Sequence, residues 1–562
     1  MRQIGSASDA SASCTRRRAP RPGRLLLGVL ASALALGLLG CGGGSARDDA
    51  GALARVSPVH GGTPAPGPGA GHAIGGDRRP NIVFVLTDDL AENLVAYMPH
   101  VLRMQRRGVS FDNYFVSDSL CCPSRASILT GRFPHDTRVF DNSPPEGGYS
   151  VFRERGEERE TFALALQRQG YSTALMGKYL NGYKPNGAVA GLGLGATAGD
   201  GASIAAGAQG PARTPPGWSE WDVAGDGYPE YGYHMNSDGR VRAYGFRPQD
   251  YLTDVIARRG LAFIDRAAAR GKPFMLELAT FAPHSPYTPA ARDYGEFPGL
   301  QAPRTPAFNA FGSAEPDWLR HFGALEPSEL ALIDANFRKR AQAVQAVDRM
   351  IGEIEAELAA KGLARNTYIV FSSDNGLHMG EHRLRPGKLT AFDTDIKVPL
   401  VVTGPDVPAG RVVHAMAENI DLCPTFEELA GALVPPSVDG HGLLGLIRGA
   451  PARGWRNEVL IEHHGRVLDE SDPDLPLLGS GNPPSYEALR MRHALYVEYV
   501  TGEREYYDLR RDPYELNNLA AQLPPARLRR LHRALVRVER CHGARACWLA
   551  EHGTTTGRRL AR

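Results

Sequence analysis

Two runs of consecutive apolar, largely β-branched residues stand out in the hydropathy pattern, Asn81 to Leu86 and, far downstream, Thr367 to Ser372. Neither alternates polar with apolar, so each predicts a strand buried on both faces of a largely parallel sheet. Elsewhere the period lengthens. Val344, Val347, Ile351, Ile354 and Leu358 recur at three and four, predicting one face of a long helix that leads into the second strand. Glu160 to Gln169 has helical spacing with Gly170 as its C-cap, and Tyr171 to Met176 then reads as a strand. Asp250 to Arg270 predicts a helix and Pro273 to Ala279 a strand. This alternation predicts an α/β sheet covered by helices.

The pattern changes after Asn419 to Ala430, which reads as the last helix of a main domain spanning 79–435. In the remainder, 436–562, Glu458 to Glu462 and Ala494 to Val500 read as strands, with a turn from Val500 to Glu505 into Tyr506 to Asp508. Arg527 to Arg540 predicts a closing amphipathic helix with a solvated charged face. Between Lys184 and Arg213 lies a Gly/Ala-rich insertion that reads as a mobile surface loop near the pocket mouth.

The first 40 residues have the order of an export signal: Arg16, Arg17, Arg18, Arg21 and Arg24, then an apolar run from Leu25 to Gly40. At sixteen residues that run is short for a bilayer span. It ends in Leu38, Leu39, Gly40 and Cys41, which resembles a bacterial lipobox with Cys41 as the lipidated residue; an ordinary secretory cleavage nearby is the alternative. Residues 41–78 are rich in Gly, Ala and Pro and read as a tether. Export to the periplasmic or cell-surface side, with membrane attachment through the lipid, follows from this reading.

Charge excludes a nucleic-acid role. The chain carries 64 basic and 62 acidic residues, and six Arg against one Asp fall in residues 1–40, so the rest is near −3 with no basic stripe. Of seven Cys, Cys541 and Cys547 sit close together in an exported chain, the setting of a small disulfide.

Candidate chemistry begins where the two buried strands stop. The first ends at Thr87, Asp88 and Asp89, and the second at Ser373, Asp374, Asn375 and Gly376. Ligands collect at the carboxyl ends of strands in such sheets, and three carboxylates with one amide suit a hard cation, Ca2+ or Mg2+, better than zinc. Each motif alone is also ordinary turn chemistry.

The stretch from Ser119 to Arg132 decides between these readings. It reads Ser-Leu-Cys-Cys-Pro-Ser-Arg-Ala-Ser-Ile-Leu-Thr-Gly-Arg and resembles, at every fixed position, the sulfatase signature Cys-x-Pro-Ser-Arg-x-x-x-x-Thr-Gly-Arg. The resemblance implies that a formylglycine-generating enzyme oxidises Cys121 to formylglycine, whose hydrated aldehyde attacks sulfur, while Cys122 fills a free position. It further implies metal ligands Asp88, Asp89, Cys121, Asp374 and Asn375. Arg125 would hold the formylglycine hydrate, Lys178 and Lys388 would grip sulfate oxygens, and His284 would act near the leaving oxygen. His378 is a weaker substrate-lining candidate, and His382 weaker still. One departure stands at Leu180, where many arylsulfatases carry His.

The same resemblance implies an alkaline-phosphatase-like fold, a large mixed and mostly parallel sheet sandwiched by helices, with a small C-terminal antiparallel-sheet subdomain. Flanking segments from Gly177 to Asn181, Pro215 to Trp221, Ala282 to Pro286 and Asp512 to Leu519 are similar to the N-acetylglucosamine-6-sulfatase and extracellular heparan endosulfatase branch. A sulfated carbohydrate of the glycosaminoglycan type is therefore the expected substrate. Two rivals remain: a phosphonate or phosphate ester hydrolase of the same superfamily, and a lipoprotein that binds sulfated glycans without turnover.

Overall fold

The computed structural model describes residues 79–185, 213–470 and 472–552. The expected signal and lipobox, the tether, and the 184–213 insertion apart from Lys184, Pro185 and Arg213 lie outside the described residues. Ten strands form one mixed sheet, and the two apolar runs lie side by side at its centre. Asn81–Thr87 pairs parallel to Thr367–Ser373 on one side and to Phe274–Ala279 on the other. Ser172–Gly177 pairs parallel to Phe274–Ala279 on its far side. All four strands are buried throughout, which is why none of them alternates.

Register carries this arrangement toward function. Thr87 faces Ser373, Leu86 faces Ala279, and Gly177 faces Ala279, so the four parallel strands finish at one edge. The ladder continues just past it: Asp374 N–H donates to Thr87 O at 3.1 Å, Thr280 N–H to Leu86 O at 2.9 Å, and Lys178 N–H to Ala279 O at 2.8 Å. The residues next in sequence therefore emerge together.

Element ends differ from the sequence reading by one or two residues, within ordinary fraying. The helices run Phe162–Arg168, Leu252–Arg270, Pro327–Ala360 and Pro525–Glu539. The 34-residue helix buries Val344, Val347, Ile351, Ile354 and Leu358 against the sheet, and it also buries Arg340. Beyond the parallel core, Leu400–Thr403 adds antiparallel to Thr367–Ser373, while Glu220–Gly225, His234–Ser237 and Arg240–Ala243 extend the other flank.

A four-stranded antiparallel sheet forms from Glu458–His463, Tyr486–Met491, Ala494–Tyr499 and Arg504–Asp508. The hydropathy pattern does not predict Tyr486–Met491. Its Glu487 and Arg490 break the apolar pattern, yet Arg490 is buried in a two-pronged pair with Asp393 at 2.7 and 2.8 Å. This sheet shares one apolar core with the main sheet, since Val459, Ile461, Ala488 and Val497 join the cluster that holds Ile82, Phe84 and Phe111. Cys541 and Cys547 are bonded to each other, closing the loop after the last long helix. Among the described residues no helix is long and apolar enough to cross a membrane.

Candidate active site

Cys121 opens a ten-residue helix, Cys121–Thr130, every residue of which is buried. The spacing of its sequence has a local reason at each fixed point. Pro123 lies in the first turn, where an amide hydrogen has no helical partner to lose. Arg125 follows Cys121 by four residues and so shares its face. Gly131 ends the helix at φ 69°, the left-handed region, and a Cβ there would come within 2.9 Å of Val438.

The strand ends deliver their carboxylates to Cys121. The thiol donates to Asp88 Oδ1 at 3.1 Å, with Asp89 Oδ1 at 3.8 Å. Asp89 takes φ 63°, a left-handed turn that aims two consecutive carboxylates at one atom. Asp374 Oδ1 accepts from Asp89 N–H at 3.0 Å and Asn375 N–H at 2.8 Å, and its Oδ2 accepts from Arg125 Nε at 2.7 Å. The Asn375 amide donates to Asp89 Oδ1 at 2.7 Å, which leaves its own buried oxygen without a partner.

Three cations and a histidine balance these carboxylates. Lys178 Nζ donates to Asp88 Oδ2 at 2.7 Å, and Lys388 Nζ to Asp89 Oδ1 at 2.7 Å and Cys121 Sγ at 2.9 Å. His284 Nε2 lies 3.6 Å from Asp89 Oδ2. Burial alone would discharge the lysines, but Asp88 beside Lys178, and Asp474 and Asp89 beside Lys388, hold both amines well above their ordinary range. His284 is likewise raised to about 9, because Asp89, Asp474 and Asp88 outweigh its burial.

Cys121 itself is a poor nucleophile as a thiol. Burial first, then Asp374, Asp474 and Asp88, push its ionisation well above the ordinary thiol range, whereas nucleophilic cysteines are activated by a lowered one.

Ligand atoms of Asp88, Asp89, Cys121 and His284 lie within 4.8 Å of one another. The carboxylate oxygens of Asp88 and Asp89 and the unpartnered buried Asn375 oxygen suit a hard cation, whereas a Cys121 sulfur and a His284 nitrogen are softer donors that such an ion does not favour. Asp374 belongs to the same network through Asp89 and Arg125.

The structure thus brings together Asp88, Asp89, Cys121, Arg125, Lys178, His284, Asp374, Asn375 and Lys388. His378 stands apart, its ring nitrogens taken by Asp395 at 3.0 Å and Ser480 O at 2.9 Å. His382 stacks on Phe392 with ring centroids 3.9 Å apart, and burial pushes it down to about 3. Leu180 is buried in the apolar core and offers no group to the reaction.

Three contributors escaped the sequence reading. Asp474 Oδ1 lies 2.6 Å from His284 Nε2 and 2.7 Å from Lys388 Nζ, and its Oδ2 accepts from Asn142 at 2.7 Å. Tyr228 lies under Lys178 at 5.0 Å and against His284 at 4.6 Å. Arg340, from the long helix, donates to the carbonyls of Asp89 and Pro283 and so fixes two of the site's turns. Its buried helix face also carries Asp334, Gln342 and Asp348, so the polar residue alone does not single it out in the sequence. The segment around Asp474 lies between two cavities, about 360 Å³ beside Lys178 and about 140 Å³ beside His284 and Lys388.

A family model described as Sulfatase matches residues 80–432. The N-acetylglucosamine-6-sulfatase of Capra hircus is 34% identical over 501 residues, covering 84% of this chain and 86% of that protein. Among solved structures, BT4656 in complex with its substrate D-glucosamine-2-N,6-O-disulfate superposes with TM-score 0.65 at 22% identity, covering 82% of this chain and 97% of that one. A phosphonate monoester hydrolase from Silicibacter pomeroyi superposes at 0.60 and 23% identity, covering 81% and 93%. At those identities the two structures speak for the fold.

Proposed function

Because the chain belongs to the sulfatase family and is a sulfuric ester hydrolase, we propose that its substrate is a 6-O-sulfated glucosamine of the glycosaminoglycan type. Supporting this are the flanking motifs and the 34% identity, over most of both chains, to a protein named N-acetylglucosamine-6-sulfatase. The observation that carries the chemistry is a buried Cys121 that touches Lys388 and Asp88, with Lys178 bonded to Asp88 and His284 beside Asp89.

Cys121 is the residue to be converted to formylglycine, and its Sγ marks where oxygen would replace sulfur. Once formed, that group supplies the oxygen nucleophile that the raised thiol cannot be. Asp88, Asp89, Asp374, Asn375 and the residue at 121 would hold Ca2+, or Mg2+ in its place, and the ion would add positive charge beside the sulfate. Arg125 sits one turn along the same helix and orients the residue at 121. Lys178 and Lys388 bind and orient the anionic ester, which gains from cations at both ends as charge moves to the leaving oxygen. His284, cationic beside Asp89 and Asp474, supplies a proton to that oxygen.

Export follows from the N-terminal segment, with lipid on Cys41 and the catalytic body on the periplasmic or cell-surface side. The division at 435 into catalytic domain and C-terminal subdomain is a division of topology, because the apolar core crosses it.

The test is sulfate release from N-acetylglucosamine 6-sulfate, with aryl sulfate, aryl phosphate and aryl phosphonate as comparators, using protein co-expressed with a formylglycine-generating enzyme. Faster phosphonate or phosphate hydrolysis than sulfate hydrolysis would overturn the substrate assignment.

A further inference from the structure

The closing helix, Pro525–Glu539, turns Leu531, Ala534, Leu535 and Val538 onto the C-terminal sheet. Its opposite face is basic. By the 3.6-residue period Arg529, Arg530, Arg533 and Arg537 fall within about 100° of one another on that side, Arg540 follows at the C-cap, and all five are exposed. None of the five has an ion-pair partner among the described residues. Glu539, the one acid of the helix, lies off the face, and Glu498 beneath is taken by His532 at 2.9 Å and Arg504 at 3.3 Å. Arginines three and four apart on a helix repel one another, so the stripe works against the helix that carries it. A ligand that brings anions reverses that. The near-balanced charge of the whole chain conceals this local excess.

The helix crosses the sheet beside the active-site loop. Arg527 donates to the Tyr506 hydroxyl over one edge strand, His532 meets Glu498 on the next, and Cys541 O, just past the helix, faces His135, which holds Glu462 on the far edge. Glu498, Glu487 and Glu462 are register partners in one row. The next row pairs Tyr486 with His463, between which the chain makes the loop that carries Asp474.

The same geometry selects among polyanions. A bilayer takes an amphipathic helix by its apolar face, which here is buried on the sheet. Single-stranded nucleic acid stacks on aromatic side chains, and this helix has none on its arginine face. From Arg529 to Arg537 the helix rises about 12 Å, so a ligand must repeat its charge over that length to engage the stripe, as a polymer does and a monosaccharide does not. Guanidinium groups suit oxyanions, which they grip through two parallel N–H donors.

We propose that the arginine face of the closing helix is an exosite for a sulfated polysaccharide, holding the polymer's anionic groups while one sulfate occupies the catalytic centre. This exosite presupposes the sugar-sulfate reading above, and adds that the enzyme works on a chain rather than a free sugar.

The test pairs the triple variant Arg529→Gln, Arg533→Gln, Arg537→Gln with its parent, because Gln keeps the helix preference of Arg and drops the charge. In the Cys121→Ala background, calorimetry with 6-O-sulfated heparan oligosaccharides of increasing length should show affinity that rises with length for the parent. The triple variant should bind the longest at least about tenfold more weakly. Its slope of log Kd against log salt should be shallower by about two to three, the share of three arginine contacts. Arg533→Gln alone should lower the slope by about one, and decides the matter if the triple variant does not fold. In formylglycine-bearing enzyme, the ratio of kcat/KM for polymer to that for N-acetylglucosamine 6-sulfate should fall at least about tenfold in the triple variant. Equal affinity and equal salt dependence in the two proteins would overturn the proposal, as would tighter binding of duplex DNA or phosphatidylglycerol vesicles through the same residues. Sulfate release with unchanged polymer binding faults the exosite alone; if the wild-type enzyme releases sulfate from neither polymer nor monosaccharide, the sugar-sulfate reading fails and the exosite falls with it.

Discussion

Asp474 Oδ1 sits between His284 Nε2, at 2.6 Å, and Lys388 Nζ, at 2.7 Å, so an anion of the chain itself occupies the cations proposed to meet the sulfate ester. Lys388 and His284 hold that carboxylate well below its ordinary range despite its burial. Cys121 beneath is fully buried. On that proposal, a sulfate ester competes with Asp474 for these groups.

Asp474→Asn should weaken the competitor while its amide oxygen keeps the bond from Asn142. Inorganic sulfate, the product anion, should then inhibit more strongly, with an inhibition constant lower by about tenfold, the scale of one charge-assisted hydrogen bond. Steady-state inhibition of both proteins checks this. An unchanged constant would mean that Asp474 does not compete with the sulfate group.

Asp374 joins the proposed metal ligand Asp89 to Arg125 with one carboxylate, so a neutral replacement should strike both. Asp374→Asn should lower turnover at least about a hundredfold, the range for removal of a pre-organised electrostatic group, while leaving the far-ultraviolet circular dichroism unchanged. Calorimetry should show the same variant losing Ca2+ affinity. Chelation should silence the wild-type enzyme, and added Ca2+ should restore it.

His135 lies just beyond the cysteine signature and ties it to the C-terminal sheet. Both ring nitrogens face acceptors, Glu462 at 3.0 Å and Cys541 O at 2.9 Å, the arrangement of an imidazolium. Burial opposes that charge, but Glu462 dominates and raises His135 from 6.5 to about 9. Asp136 adds to the effect, and Asp439 faces the ring as well. A raised value means stability that is complete below pH 6.5 and is lost as pH rises through about 9. Thermal midpoints of wild type and His135→Gln should thus differ most near pH 6 and converge near pH 10. A gap that widened with pH would contradict the ion pair.

Legibility in the sequence followed contiguity. The two central strands showed because burial on both faces leaves an unbroken apolar run, and the carboxylates showed because they close those runs. Cys121 and Arg125 showed through the resemblance to the sulfatase signature, and the helix Cys121–Thr130 supplies the reason for their four-residue spacing. Asp474 did not, since its Asp- and Pro-rich surroundings read as surface loop and its partners lie 190 residues away at His284 and farther still at Asn142. The strand Tyr486–Met491 hid because its Arg490 finds its charge partner, Asp393, in the main domain. His378 illustrates the opposite failure: a motif neighbour of Asp374, it spends its ring on Asp395 and Ser480.

Cys121, and no neighbouring residue, is the proposed nucleophile-bearing group. Cys122 packs in the apolar core, and its ionisation is pushed up to about 12 by burial, so Cys122→Ala should retain most of its turnover. Cys121→Ala should have none, and Cys121→Ser should stall after at most one transfer, because serine lacks the second hydroxyl on the same carbon. The most direct measurement is peptide mass spectrometry across Ser119 to Arg132 of protein made with a formylglycine-generating enzyme. The peptide should carry an aldehyde in place of the –CH2SH group at Cys121 alone; an aldehyde at Cys122, or an unmodified Cys121 in fully active enzyme, would refute the assignment.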